Sequence, residues 1–535
     1  MRGGSAPHAR HTAERRGDGR HHLAGPGHGI AGVGGCGGGG QDRGVGPACR
    51  SQPVAALRKV VKAVSRLADR PLRTRVLAAG REQPAAAWLT GLGATLLYTL
   101  FSLTQWYRLA SPSWDLGIFT QLAKAYAGPG APIVPIKGEG FNLLGDHFHP
   151  LLVLLGPAYA VAPSALTLLV VQNLLFGLSV AVVSRAAIRL LGTAPGIVVG
   201  IAYALSWGLQ SAVAAQFHEI AFAVPLLALG LEAVLRHRVV PAVVWSGLLV
   251  FVKEDLGLTV MMLGLVIAWR LRSVAGLWLA AWGALWLVLS VALILPALNT
   301  GGRYDYSDRI DVGAMLADPT SAVVDLVSGP AKYHSLLLLL LAGGFLFLRS
   351  SLALVLLPTL LWRFASGQDG YWGPEWHYSA VLMPVLFLAL VDGVHTLRTS
   401  PRPVARTASL FGVPLAAAAS LVLLPAQQFA VLAEPETYQQ SERWDAAHRM
   451  MALIDEGASV ESGVVLMAYL VPDARVYWIG NANPAPDYLI VDADDWSWGP
   501  VRPADAEAHA EQLYPGTDYT VDFDEAGYQL VRAER

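Results

Sequence analysis

The sequence predicts an all-α polytopic membrane protein of about 11 transmembrane helices, followed by a small external α/β domain at its C-terminal end. Three observations lead there. Of 535 residues, 54% are hydrophobic and 15% charged, less charge than a soluble chain of this length carries. Many windows reach the roughly 18–20 apolar residues that cross a bilayer. Past residue 425 that pattern stops, and the strand-like runs "GVVLMAYL", "ARVYWIG" and "DYLIVDA" begin. The expected environment is the bilayer. The net charge of −1 points to no nucleic-acid partner, because the charge is segregated by loop.

The first 54 residues are rich in Gly, Arg and His and include "GVGGCGGGG". Such a composition buries no core, so a disordered tail or a start codon assigned too far upstream is expected. The tail lacks the apolar region of a signal peptide. Both cysteines, Cys36 and Cys49, fall in it, which leaves no disulfide framework or cysteine metal site for the body.

Residues 55–85 open with "AALRKVVKAVSRLADRPLRTRV", basic and amphipathic, just ahead of the first apolar span. The positive-inside rule places them, and the N-terminus, in the cytoplasm. The transmembrane domain is expected over residues 86–425, with external loops 106–149 and 298–333. The span near 164–191 returns to Arg185 and Arg189. The next exits to "QFHE", and 218–235 comes back to "RHR". Residues 240–268 run between basic "RHR" and "WRLR", so they form a hairpin of short or broken helices with "KED" (253–255) at its apex. Spans near 275–297, 334–348, 350–364, 377–397 and 407–425 follow, leaving residues 426–535 as an external soluble domain. On this topology Asp115, Asp146, His147, His218, Glu219, the KED apex, the "RYDY" loop and His377 share the external side. The Lys and Arg flanks, with KED at its turn, set this topology by themselves.

These polar groups are the candidate functional residues. Asp115, in "SPSWDLGIFTQ", starts an amphipathic segment; it suits an N-cap, a general base or a cation ligand. Asp146, His147 and His149 crowd "GDHFHP" directly before an apolar run, a spacing too tight for a strong metal motif. His218 and Glu219 open a returning span. Lys253, Glu254 and Asp255 sit inside an apolar stretch, where each charge costs roughly 2.5–3.5 kcal/mol at the bilayer centre. Neighbours on a helix do not face one another, so at least one of the three needs a partner elsewhere. Either an interhelical ion pair or a cationic site for a phosphate would account for Lys253. In "GGRYDYSDRID", Arg303 and Arg309, with Lys332, offer a phosphate clamp, and Tyr304 beside them a stacking face. His377 and Tyr378, in "YWGPEWHYSA", offer polar and stacking contacts beside an ordinary aromatic belt. The chain carries no P-loop, GxGxxG, GxSxG, CxxC or HExxH in a fitting context. The cofactor is therefore unknown, and a divalent metal stays open without a motif to support it.

The blocks "WDLGIFTQ", "GDHFHPLLVLLGPAYAVAPSALTLLVVQN", "FHEIAFAVPLL" and "VKEDLGLTVMMLGL", with "VVLMAYLVPDARVYWIG" and "DYLIVDADD" near the end, resemble a bacterial family of integral-membrane proteins of unknown function. The match spans residues 90–500. Through it the chain is similar to the GT-C glycosyltransferases. That resemblance implies a multi-span fold with an acid in the first external loop. It also implies transfer of a sugar from a polyprenyl-phosphate carrier to an external acceptor at the outer face of the bacterial cytoplasmic membrane. Asp115, or in its place Asp146, matches the catalytic acid. The remaining candidates, His147, His149, His218, Glu219, Lys253, Glu254, Asp255, Arg303, Tyr304, His377 and Tyr378, would bind substrate. The superfamily's usual Asp-x-Asp or Glu-x-Asp is missing at "SWDLG", which leaves metal dependence open. A transporter or flippase using these groups as an ion path, and a membrane scaffold, are the alternative functions.

Overall fold

The computed structural model describes residues 84–499 and 502–534; the expectations for residues 1–54 and 55–83 lie outside them. The helices needed below are α1 (Ala85–Tyr107), α2 (Asp115–Ala127), α3 (Ala165–Leu191), α4 (Thr193–Ala204), α5 (Trp207–Ala214), α6 (Ile220–Leu235), α7 (Val239–Gly247), α8 (Leu256–Leu271) and α9 (Val274–Leu289). They continue with α10 (Pro319–Val327), α11 (Pro330–Ala342), α12 (Leu357–Ala365), α13 (Leu382–Arg398) and α14 (Pro403–Leu423).

Among the described residues, 6 helices are long and apolar enough to cross a membrane, or 7 if the bent pair α10–α11 counts as one span. The expected 11 crossings are not all of this kind. The segments Pro150–Val161, Ile220–Leu235, Val239–Phe251, Leu256–Leu271 and Ser351–Ala365 are apolar but shorter, between 10 and 17 residues. Apolar composition and spanning length are different properties, and broken backbone is tolerated at depth only where protein or water surrounds it.

Close helix approach rests on small residues. A Cβ on Gly264 of α8 would overlap the backbone of Gly276 and Ala280, and one on Gly257 would lie 2.8 Å from the Gly283 carbonyl. The α8–α9 hairpin is thus a small-residue interface of the kind that joins helices in lipid, where apolar burial supplies no driving force. The α3 helix begins at Ser164, whose hydroxyl accepts the Leu166 N–H at 3.2 Å. The KED stretch is the break between the 3₁₀ turn Leu248–Phe251 and α8.

The C-terminal domain is a five-stranded sheet of order β2-β1-β3-β5-β4, with β1 (Ser459–Ser462), β2 (Arg475–Trp478), β3 (Tyr488–Asp492), β4 (Tyr519–Glu525) and β5 (Tyr528–Ala533). β1 runs parallel to both β2 and β3, with Val460 opposite Val476 and Tyr488. β5 is antiparallel to β3 and β4. One strand expectation is corrected. "VVLMAYL" is a helix, Val464–Leu470, with all seven residues buried. Seven continuous apolar residues carry no period that separates strand from helix. The parallel pairing of β1 with β2 demands a crossover between them, and this helix is that crossover.

This domain packs on the membrane part through aromatic and polar contacts. Trp106 stacks on Tyr469 with ring centres 3.9 Å apart, and the Tyr469 hydroxyl donates to the Trp106 carbonyl at 2.8 Å. The Trp496 indole donates to the Ser111 carbonyl at 2.9 Å.

Candidate functional site

Asp115 is the first residue of α2, where a carboxylate suits the positive end of the helix dipole. The Ser113 hydroxyl donates to it at 3.1 Å. The C-terminal domain holds α2 in place. Lys124 Nζ donates to the carbonyls of Val471, Pro472 and Ala474 at 2.7, 3.0 and 3.2 Å. The Gln121 amide donates to the Val476 carbonyl at 3.1 Å and accepts the Ile136 N–H at 3.0 Å. Gly117 lies so close to this domain that a Cβ there would be 2.9 Å from the Met467 Cβ.

The loop before Pro150 supplies the next set. Asp146 is 3.2 Å from Lys137 Nζ and accepts the Tyr306 hydroxyl at 3.0 Å. Burial alone would raise the Asp146 carboxyl, but the charges of His147 and Lys137 and the Tyr306 hydroxyl hold it below its ordinary value. His147 stacks on Tyr306, ring centres 4.4 Å apart, with Nδ1 2.7 Å from Glu254 Oε1. Burial and Lys253 push the His147 imidazole down, yet the bonded Glu254 and the nearby Asp146 raise it above its ordinary value. His149 is different. Burial lowers it to about 4, so it is a neutral imidazole near neutral pH.

Glu254 ties three elements together. Besides His147 it accepts the Phe148 N–H at 3.0 Å and the Tyr304 hydroxyl at 3.2 Å. Lys253 takes the partner that the sequence requires it to find outside KED, lying 2.8 Å from Glu219. Glu219 is fully buried and also sits 2.6 Å from His218 Nδ1. Neither contact to Glu219 has well-aligned hydrogen-bond geometry, so they are ion-pair contacts. His218 stacks on His377 at 3.4 Å between ring centres and 20° between planes.

A cavity of about 810 Å³ lies among these groups. Of the residues singled out from the sequence, Asp115, Asp146, His147, His149, His218, Lys253, Glu254, Asp255, Tyr304, His377 and Tyr378 line it. Glu219 lies behind Lys253 and His218. Arg303 is not part of the lining; its side chain is 75% exposed and 3.5 Å from Asp305. Lys332 is buried elsewhere, donating to the carbonyls of Asp325 and Phe364 at 2.6 and 2.8 Å. The cation from that loop that does line the cavity is Arg309, its guanidinium 5.7 Å over the Tyr306 ring. Leu258, Leu287, Val291, Ile310 and Val312 form an apolar wall.

Sequence reasoning missed three participants. Tyr306 closes the "RYDY" loop and Lys137 precedes the "GEGFNLLGDHFHP" stretch, but only their contacts to Asp146 and His147 give them a role. Arg363 is fully buried and donates to the carbonyls of Tyr371 and Gly373 at 2.7 Å and to the Ser379 hydroxyl at 3.1 Å. It thereby fixes the loop that carries His377. The loop reaches His377 through Trp376, at φ 62, a left-handed conformation rare for a large residue.

Among the described residues, Asp115, His218 and His377 each offer a ligand atom within 4.8 Å of the others, so these three could hold a metal. A second charged set lies far away. Arg185 and Arg189 pair with Glu232, and Arg270 pairs with Asp392. Glu232 is thirteen residues along α6 from Glu219, about 20 Å at helical rise. Buried charge thus lies at both ends of α6, the second set as closed ion pairs.

Over residues 105–530 the chain matches the family described as "Predicted membrane protein (DUF2079)". No curated protein matches it. Among solved structures, the apo oligosaccharyltransferase of Archaeoglobus fulgidus is similar over 76% of this chain and 70% of its own, at 13% identity and a TM-score of 0.39. The same enzyme tethered by a disulfide to an acceptor peptide containing the NVT sequon is similar over 76% and 69%, at 12% identity and a TM-score of 0.38.

Proposed function

This chain belongs to the DUF2079 family of predicted membrane proteins, and from that premise we propose that it is a glycosyltransferase. On this reading it takes a sugar from a polyprenyl-phosphate donor at the outer face of the bacterial cytoplasmic membrane, with its C-terminal domain external. The observation that carries the proposal is the cavity itself. It places a carboxylate at a helix start, a cation from a neighbouring loop and an apolar wall around one space of about 810 Å³. That volume suits a small ligand headgroup.

The chemistry needs three groups. Asp115 takes the proton of the acceptor hydroxyl as its oxygen attacks the anomeric carbon. The bond from that carbon to the phosphate oxygen breaks, and the carrier phosphate leaves with the electron pair. A nearby cation then stabilises the charge developing on the leaving group. Lys253 is already engaged by Glu219 and Arg303 points away, so Arg309 is the better-placed side chain. The indole and phenol faces of Trp362, Tyr371 and Tyr378 give the sugar stacking surfaces.

The test is donor binding and turnover in nanodiscs, with a panel of polyprenyl-phosphate sugars offered to wild type, Asp115→Asn and Arg309→Ala. Loss of turnover with donor binding retained in Asp115→Asn supports the assignment. Weakened donor binding in Arg309→Ala, by about tenfold for one charge-assisted contact, supports the phosphate site. No binding of any donor by wild type sinks the proposal and shifts the weight to transport.

A further inference from the structure

We propose that Asp115, His218 and His377 form a site for one divalent transition-metal ion, ligated by two imidazoles and one carboxylate on the wall of the cavity. Its use in chemistry rests on the glycosyltransferase reading; its existence does not.

The first argument is convergence. The three ligand atoms lie within 4.8 Å of one another, and metal–ligand bonds of about 2.0–2.2 Å draw them closer and turn the stacked His218 and His377 rings until one nitrogen of each points at the ion. The second is an unexplained imidazole. His377 is 4% exposed, and neither of its ring nitrogens has a hydrogen-bond partner. Buried polar groups are nearly always paired, so a ring nitrogen left bare beside a cavity asks for a ligand. The third is preparation of the other two groups. His218 Nδ1 faces Glu219 at 2.6 Å, which leaves Nε2 as the coordinating nitrogen. A carboxylate behind a histidine is the usual support of a metal-bound imidazole. Glu219 is itself held by Lys253 at 2.8 Å, and the Ser113 hydroxyl orients Asp115.

The charge of the cavity argues the same way. Asp115, Asp146, Glu254 and Asp255 all line it. Lys137, Lys253 and Arg309 line it too, but Lys137 lies against Asp146 and Lys253 against Glu219, so neither lysine answers the Asp115 carboxylate, whereas a divalent ion there reverses the local sign for an entering phosphate. Three protein ligands leave positions open toward the cavity for such an oxygen. One Asp115 oxygen on the metal leaves the other for the acceptor proton. The ligand set also sets the metal class: imidazole suits Mn²⁺, Fe²⁺, Co²⁺ or Zn²⁺, while Mg²⁺ prefers oxygen ligands and retained water. The three ligands come from three separate stretches, each more than a hundred residues from the next, so no spacing motif announces them.

The experiment uses the full chain in nanodiscs with no sugar donor present. The protein is stripped with a chelator, offered Mn²⁺, Zn²⁺ or Mg²⁺ and desalted. Retained metal is counted by mass spectrometry, and the Mn²⁺ form is examined by pulsed EPR for ¹⁴N coupling. The expected result is one Mn²⁺ or Zn²⁺ per chain, imidazole ¹⁴N modulation, and no retained Mg²⁺. His218→Ala and His377→Ala each abolish retention, Glu219→Gln weakens it about 10- to 100-fold, and His395→Ala leaves it unchanged. Should the histidine variants fail to fold, the ¹⁴N signal of wild type decides alone. The proposal is overturned if wild type retains neither metal, if bound Mn²⁺ shows no ¹⁴N coupling, or if both histidine variants keep full stoichiometry. Because no donor enters, such a failure is separate from a failure to bind polyprenyl-phosphate sugars.

Discussion

Replacing Glu254 with alanine tests whether the polar cavity is built around that carboxylate. Glu254 is 2% exposed and holds His147 at 2.7 Å, the Phe148 N–H at 3.0 Å and the Tyr304 hydroxyl at 3.2 Å. It thus joins the loop before Pro150, the KED break and the loop at residue 304. Glu254→Ala removes all three acceptor contacts, strands the buried Phe148 N–H and leaves the half-buried His147 imidazole without its carboxylate. Breaking a buried charge pair on one side costs about 3–5 kcal/mol. At about 2 °C per kcal/mol for a large domain, the apparent Tm falls by about 6–10 °C. Glu254→Gln keeps the shape and one acceptor, so it loses roughly half as much. Thermal unfolding followed by intrinsic fluorescence in nanodiscs gives the measurement. Raising the salt concentration leaves the difference intact, because so buried a pair is little screened. A drop below about 2 °C for Glu254→Ala would refute the claim that this carboxylate organises the site.

Three further outcomes follow from the same structure. His147 has an imidazole raised above its ordinary value by Glu254 and Asp146 against burial and Lys253, and it stacks on Tyr306. Its contribution is therefore full below about pH 6.5 and is lost as pH rises through the folded-state value. The apparent Tm accordingly declines toward alkaline pH, and His147→Gln flattens that decline; a wild-type profile that rises over this window contradicts the assignment. Gly264→Leu forces α8 and α9 apart and lowers stability by several kcal/mol as an overpacked contact, while Gly93→Leu, with nothing within 4 Å of its Cβ position, costs under about 1 kcal/mol. Equal effects of the two would show that the α8–α9 contact is misread. Lys124→Ala removes three carbonyl contacts between α2 and the C-terminal domain and speeds limited proteolysis of that domain; unchanged cleavage would mean that the aromatic contacts alone dock it.

Several features were legible in the sequence because they are local. Apolar runs and their basic flanks gave the membrane class and the helix break at KED. Residue types of high β-propensity marked β2 and β3. The length limit of local reading shows at "VVLMAYL", where seven apolar residues fit strand and helix alike, and the parallel β1–β2 pairing decides for helix. It shows again in the loop after residue 300. Arg303 and Arg309 share a loop and a residue type, yet one is paired with Asp305 in solvent and the other faces the cavity.

By itself, the sequence determined that this is a membrane protein and that titratable residues interrupt its apolar stretches, because composition and periodicity are written along the chain. Only the tertiary structure decided that those interruptions surround one cavity, that Lys253 belongs to Glu219 and His147 to Glu254, and that Asp115 meets His218 and His377. Lys253 and Glu219 are 34 residues apart, and the other partners are more than a hundred apart, beyond the reach of any local periodicity. Such contacts are set by how the helices pack, and no spacing in the sequence encodes them.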